Sequence, residues 1–178
     1  MQKILFSSCL LGEKVCYDGG TRTVDNEIVQ KWQAEMRIII ACPEVAGGLP
    51  TPRPAAQIKG TNGGAGVLNG KASVIKKDQS NITAAFTAGA NHALALVKKH
   101  GIKIAVMKER SPSCGVTQIY DGSFSGGKIN GMGVTAALLE NHGVKVFSEE
   151  QISEAQAYLQ KLEKTSPANK LVNNIKPL

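Results

Sequence analysis

Aromatic side chains are scarce in this 178-residue chain, where Phe, Trp and Tyr together make up 4%. So few rings leave little platform for stacking the bases of a single-stranded nucleic acid, and a long nucleic acid is not expected as a partner. Long apolar runs are missing too, and none approaches the roughly 20 residues that a membrane-crossing helix needs. The first residues, Met1 to Cys9, carry a single lysine and too brief an apolar stretch for a secretory signal, which predicts a cytoplasmic protein. Histidine is confined to His92, His100 and His142, without a His-x-x-x-His pair, and no Cys-x-x-Cys pair is present. Both are spacings on which zinc sites are commonly built. Acidic residues are in deficit, 14 against 21 Lys and Arg, for a net charge of +7. That balance favours an anionic partner, and with so few aromatics a small one.

What the chain does have is four cysteines, three of them in loops that directly follow a short apolar run. Ile4-Leu5-Phe6 precedes Cys9, Ile38-Ile39-Ile40 precedes Cys42, and Ile104-Ala105-Val106 precedes Cys114. Runs of this length, rich in β-branched residues and alternating with helical patterns, are the mark of buried parallel strands. The carboxyl ends of such strands meet along one sheet edge, where ligands bind. Cysteines far apart in sequence can therefore converge there, and in a reducing compartment they serve metals or catalysis more often than disulfides. Cys16 has no strand before it, and both a fourth-ligand role and a spare thiol stay open for it.

The alternation predicts an α/β fold, a single-domain Rossmann-like sandwich with a mainly parallel sheet, over residues 1–165, with a loose or docked tail over 166–178. Strands are expected at Lys3 to Ser7, Arg37 to Ala41, Lys103 to Met107 and Val144 to Phe147. Asp25 is the expected N-cap of a helix bearing Ile28, Val29 and Trp32. Further helices are expected from Asn81, with Ser80 as cap, to His100, from Val134 to Asn141, and from Ser148 through Lys161. The proline- and glycine-rich stretch 42–71 predicts an irregular lid or pocket wall. Val67-Leu68 and Ser73-Val74-Ile75 predict a small hairpin around Asn69-Gly70.

Several polar residues lie close to the cysteines. Glu44, two residues past Cys42, can shuttle protons or simply sit on a loop. Ser111 and Ser113 flank Pro112 just before Cys114, and their hydroxyls can donate to a ligand or cap a turn. Arg53, between two prolines, suits a carboxylate or phosphate. The glycine-rich run from Gly126 through Gly131 to Gly133 leads into a helix start, a weak phosphate signal that is neither a P-loop nor Gly-x-Gly-x-x-Gly.

Taken jointly, Cys9-Leu10-Leu11-Gly12 with Tyr17-Asp18-Gly19, Cys42-Pro43-Glu44-Val45 with Gly47-Gly48-Leu49 and Pro52-Arg53-Pro54, Lys108-Glu109-Arg110-Ser111-Pro112-Ser113-Cys114-Gly115 with Ile119-Tyr120-Asp121-Gly122, and Gly131-Met132-Gly133-Val134-Thr135 resemble the short form of the bacterial family catalogued as DUF523. That family includes thiouracil desulfidases. The resemblance implies a [4Fe-4S] cluster held by Cys9, Cys42 and Cys114, with one iron left open to bind sulfur, and Glu44 and Ser111 as catalytic residues. It further implies a small thiolated pyrimidine as substrate (2- or 4-thiouracil or 4-thiouridine monophosphate), converted to its oxo form with release of hydrogen sulfide. Arg53, Ser113 and Gly131 are the candidate substrate-binding residues. Gln57 and Asn62-Gly63-Gly64-Ala65 depart from the acidic residues common at those places in the family. The competing readings are a cysteine-persulfide sulfurtransferase, needing one reactive cysteine, and a zinc-binding structural module.

Overall fold

The computed structural model describes residues 1–165, so the tail expected over 166–178 lies outside the described residues. In chain order the elements begin with β1 (Ile4–Ser7), α1 (Glu27–Ala34), β2 (Ile38–Ala41) and α2 (Pro43–Ala46). A β3 (Ala56–Gly60), α3 (Gly63–Leu68), β4 (Ala72–Lys76) excursion leads to the long helix α4 (Thr83–His100). Then come β5 (Ile104–Met107), the short pair β6 (Gln118–Tyr120) and β7 (Lys128–Asn130), α5 (Val134–Asn141), β8 (Lys145–Ser148) and α6 (Ile152–Thr165).

The central sheet is parallel, in the order β2-β1-β5-β8. Successive side chains of a strand point to opposite faces, so each strand feeds two cores. Leu5, Ala105 and Val146 face α4 and α5, packing with Ala93, Leu94, Val97, Ala136 and Leu139. Ile4, Phe6, Ile104 and Val106 face α1 and α6, packing with Val29, Trp32, Ile152, Ala155 and Leu159. Burial on both faces is why β1 and β5 are apolar without alternation. On the second face Trp32 packs edge-on to Phe6 with centroids 6.4 Å apart, and its indole N–H donates to Gln156 at 2.7 Å. A third cluster, with Ile58, Val74, Phe86, Ile119 and Val134, joins the β3-β4 layer to α4 and α5.

Four local expectations change. The cap of α1 is Asn26, not Asp25: the Asn26 side chain accepts from the Ile28 N–H at 2.9 Å, while Asp25 takes the Gln30 amide. Ser80 likewise does not cap α4, since the Asn81 side chain accepts the Thr83 N–H and the helix starts at Thr83. The stretch 42–71 is not irregular, because α2, β3 and α3 all form within it. Nor do Val67-Leu68 make a hairpin arm: they close α3, and β4 pairs antiparallel with β3 instead. Glycine is a poor helix former, so α3 owes its existence to packing rather than propensity. A Cβ at Gly64 would lie 2.3 Å from the Gly133 carbonyl oxygen, an approach of α3 to the start of α5 that a larger residue forbids. The glycine-rich run before α5 is also partly ordered as β7, which pairs with β6.

Candidate active site

Because β2, β1 and β5 are neighbours, the loops after them lie side by side at the carboxyl edge of the sheet. Cys9 sits on a 3-10 turn (Ser8–Leu11) after β1, Cys42 is the N-cap of α2 after β2, and Cys114 lies in the loop after β5. All three line one cavity of about 480 Å³, together with Cys16, Glu44, Arg53 and Ser111. Cys114 is buried and the other cysteines are half-buried, and all four are free thiols.

The position of Cys42 and Glu44 is set by how tightly α2 seats on α4. A Cβ at Gly89 would lie 1.9 Å from the Pro43 carbonyl oxygen, and one at Gly47 would lie 2.0 Å from that of Ala85. Only glycine at both places lets the two helices touch through their backbones. The loop carrying Ser111 and Cys114 is held from inside by Glu109, 3% exposed. Its carboxylate accepts the N–H groups of Arg110, Val116, Thr117 and Gln118 at 3.0–3.1 Å, and the Thr117 hydroxyl at 3.1 Å. Burial raises the Glu109 pKa, but the N–H donors of Gln118, Val116, Thr117 and Arg110 outweigh it and hold the carboxyl below its ordinary value.

Glu44 is clamped from two sides. Arg53 donates from Nε to Oε2 at 2.8 Å and forms a second contact from its terminal nitrogen at 2.8 Å. The rest of the Arg53 guanidinium is spent on the carbonyls of Pro50 and Val15 and the hydroxyl of Thr51, and its side chain is only 6% exposed. Arg53 is therefore committed to Glu44 and not free to hold a substrate anion. Oε1 of Glu44 faces Ser111, whose hydroxyl donates to it at 3.4 Å. The Ser111 oxygen in turn accepts the N–H groups of Ser113 and Cys114, both at 3.0 Å. With its lone pairs so occupied, the hydroxyl proton is left to point toward Glu44.

Two candidate binding residues are not brought to the cavity wall. Ser113 is fully buried, with its hydroxyl on that of Thr135 at 2.8 Å, because the loop must be pinned to α5 for Cys114 to face inward. Gly131 donates its N–H to the Thr117 carbonyl at 3.0 Å, which ties the β6-β7 pair together. In their place the cavity is lined by residues that the sequence reading left unassigned: Tyr17, Tyr120 and Phe124, three of the few aromatics, and Arg22, Lys108 and Arg110. The Tyr17-Asp18-Gly19, Tyr120-Asp121-Gly122 and Lys108-Glu109-Arg110 motifs were the signal available for four of them. Lys108 pairs with Glu149, Arg110 with Glu150, and Arg22 with Asp18.

Burial, followed by the charges of Glu44 and Cys42, pushes the Cys114 thiol up to about 12. Burial also raises Cys9, with further contributions from Cys114, Cys16 and Cys42, and it raises Cys42. Three sulfurs sharing one low-dielectric pocket repel one another when ionised, and a cationic metal group is what reverses that penalty. Among the described residues, no three His, Cys, Asp or Glu side chains meet closely enough to share a single metal ion. One tetrahedral zinc draws its sulfur ligands to within about 4 Å of each other, so this donor set does not fit the zinc-binding structural module. A cubane takes each thiolate on a different iron, and three soft donors spread around one cavity suit it.

Comparison with known proteins agrees with this arrangement. Residues 4–151 match the family described as 2-thiouracil desulfurase. YbbK of Bacillus subtilis (strain 168), described as uncharacterized, is 42% identical over 151 residues, covering 85% of this chain and 98% of its own. The solved structure of the [4Fe-4S]-dependent thiouracil desulfidase TudS superposes with a TM-score of 0.83 at 42% identity, covering 90% of this chain and 99% of TudS. Among the described residues no helix is long and apolar enough to cross a membrane. With most of its length matched, this chain belongs to the 2-thiouracil desulfurase (DUF523) family.

Proposed function

We propose that this protein is a [4Fe-4S]-dependent desulfidase that hydrolyses a thiolated uracil to its oxo form and releases hydrogen sulfide. The observation that carries the reading is the meeting of Cys9, Cys42 and Cys114, from three adjacent parallel strands, in one cavity that also holds the Glu44 and Ser111 pair. Those cysteines would hold the cluster, which when bound supplies an iron without a protein ligand, a Lewis acid suited to soft sulfur.

The chain's own groups perform the rest. Tyr17, Tyr120 and Phe124 offer flat faces for a pyrimidine ring. Arg53 fixes Oε2 of Glu44, so Oε1 is the oxygen that takes a proton from the attacking water. Ser111, its hydroxyl oriented by two backbone donors, donates to Oε1 and so holds that oxygen in line for the transfer. The water oxygen bonds to the ring carbon bearing sulfur, the carbon–sulfur bond breaks, and both water protons end on sulfur, one of them by way of Glu44. No net electron transfer is needed. Either thiouracil fits this chemistry, and Arg22 and Arg110, with side chains 38% exposed at the cavity, are the cations placed to favour a monophosphate.

Anaerobic preparation followed by iron and sulfide counts, with sulfide release measured on 4-thiouracil, tests the proposal directly. A brown protein that yields uracil and sulfide in equal amounts is expected. A colourless protein with no release of sulfide would overturn it.

A further inference from the structure

Behind the Glu44–Arg53 pair lies a second cavity of about 120 Å³. Its apolar walls are Leu49, Pro50, Pro54, Ile82 and Phe86, Lys76 lines it too, and Glu44, Arg53 and Ala56 line it as well as the larger cavity. The ion pair is thus a partition with a chamber on each side. The space is several times the roughly 30 Å³ that a water molecule occupies in the liquid, which is room for a small molecule. Phe86, 1% exposed on α4, closes the inner wall, whereas Pro50 and Pro54 are exposed, and this side of the chamber reaches the surface. Apolar walls hold water poorly. They suit a small neutral molecule with weak hydrogen bonding.

We infer that this chamber is the exit for hydrogen sulfide, separate from the larger mouth by which the pyrimidine enters and leaves. The inference rests on the desulfidase reading, which makes sulfide the second product. Hydrolysis of the carbon–sulfur double bond by one water yields one oxo pyrimidine and one hydrogen sulfide, and the proton that neutralises the sulfide is handed over at Glu44. The neutral product is then formed at the partition itself, beside apolar walls. A separate exit lets it leave while the oxo pyrimidine still fills the larger cavity.

The test narrows the chamber from two sides, by Leu49→Trp and by Ile82→Phe; Leu49 meets Glu44 through its backbone N–H on the Glu44 carbonyl, a bond that a side-chain substitution keeps. Cluster-loaded enzyme is mixed anaerobically with 4-thiouracil, and the oxo product and free sulfide are followed separately in single-turnover and multiple-turnover runs. Both variants should form the oxo product in the first turnover at the wild-type rate, yet release sulfide and turn over roughly five-fold or more slowly, as expected when product release is obstructed. Equal sulfide release by wild type and both variants overturns the exit. So does an equal slowing of both products, which would mean that the walls act on Glu44. If wild type itself yields no sulfide, the desulfidase reading fails first and the exit falls with it.

Discussion

Replacing Glu109 should loosen the active-site loop more than any exposed substitution on the same loop. The carboxylate accepts four backbone N–H groups and one hydroxyl inside the protein, from residues on both sides of Ser111 and Cys114. Glu109→Ala strands those donors. A buried donor left unpaired costs about 1–3 kcal/mol, the losses do not add fully, and water can enter part of the gap, so a total of about 3–5 kcal/mol is expected. For a chain of this size that is a fall in Tm of roughly 6–20 °C. Glu109→Gln keeps one acceptor oxygen but turns an amide N–H toward the Thr117 donors, and should fall between the two.

The pH dependence supplies a second, independent readout. Glu109 has a depressed pKa in the fold, so its contribution is present in full above the ordinary carboxylate value and is lost as pH falls through the folded value. The Tm gap between wild type and Glu109→Gln should therefore be widest near neutral pH and shrink in acid. Anaerobic thermal unfolding of the cluster-loaded proteins, with iron retention followed alongside, measures both. A Glu109→Ala protein within about 1 kcal/mol of wild type, or a gap that does not change with pH, would refute the reasoning.

The other expectations concern the site directly. Serine at Cys9, Cys42 or Cys114 should each strip iron and colour from anaerobically prepared protein while serine at Cys16 should not, as read by absorption and iron counts; equal retention in all four would remove the proposed ligand set. Glu44→Gln should lower kcat by about 10²–10⁴-fold with the cluster spectrum unchanged, and Ser111→Ala by a smaller factor, since proton transfer and orientation are separate contributions. Gly89→Ala should destabilise by about 1–3 kcal/mol in thermal unfolding, because its methyl group would have to displace the Pro43 carbonyl and α2 with it. At low salt, Arg22→Ala and Arg110→Ala should each reduce kcat/KM for 4-thiouridine monophosphate but not for 4-thiouracil; a like effect on both substrates would reject a phosphate role.

The central strands were legible in the sequence because burial on both faces leaves an unbroken apolar run, as in Ile104 to Met107, and the cysteines follow such runs directly. What escaped depends on contacts between distant residues. Asp25 and Asn26 are equivalent as caps on paper, and only backbone geometry selects Asn26. The elements within 42–71 were hidden by glycine and proline, residues that argue against regular structure until close packing, as at Gly64 against Gly133, demands them. Arg53 on its stiff proline-flanked turn had the charge to bind an anion, but the anion it binds is the protein's own Glu44. Ser113, a residue away from Cys114, turns inward to Thr135 because neighbouring positions in a turn point opposite ways. Glu109 stands inside the Lys108 to Gly115 motif without an assigned role, and that role appears only once the loop folds back to present four N–H groups to it.

The sheet order explains why the site lies where it does. From β1 the chain moves to β2 on one side, through α1 on one face of the sheet; it later crosses back to β5 on the other side of β1 and reaches β8 through α5 on the opposite face. The direction of winding thus reverses between β1 and β5, and the loops after those two strands diverge to opposite faces and open a crevice. Cys9 and Cys114 stand at its two lips, and β2, next to β1, adds Cys42 from the same edge. The long excursion between β2 and β5 has a function in this scheme: it delivers Arg53 to Glu44 and builds the β3-β4 layer and α4, whose residues wall the second chamber. The two parts are coupled, because α2, which has Cys42 as its cap and Glu44 in its first turn, seats on α4 of that excursion, and α4 also covers one face of the sheet. The proposed ligand and proton-transfer roles therefore share one support: the sheet edge sets Cys9 and Cys114, and the seating of α2 on α4 sets Cys42 and Glu44 together.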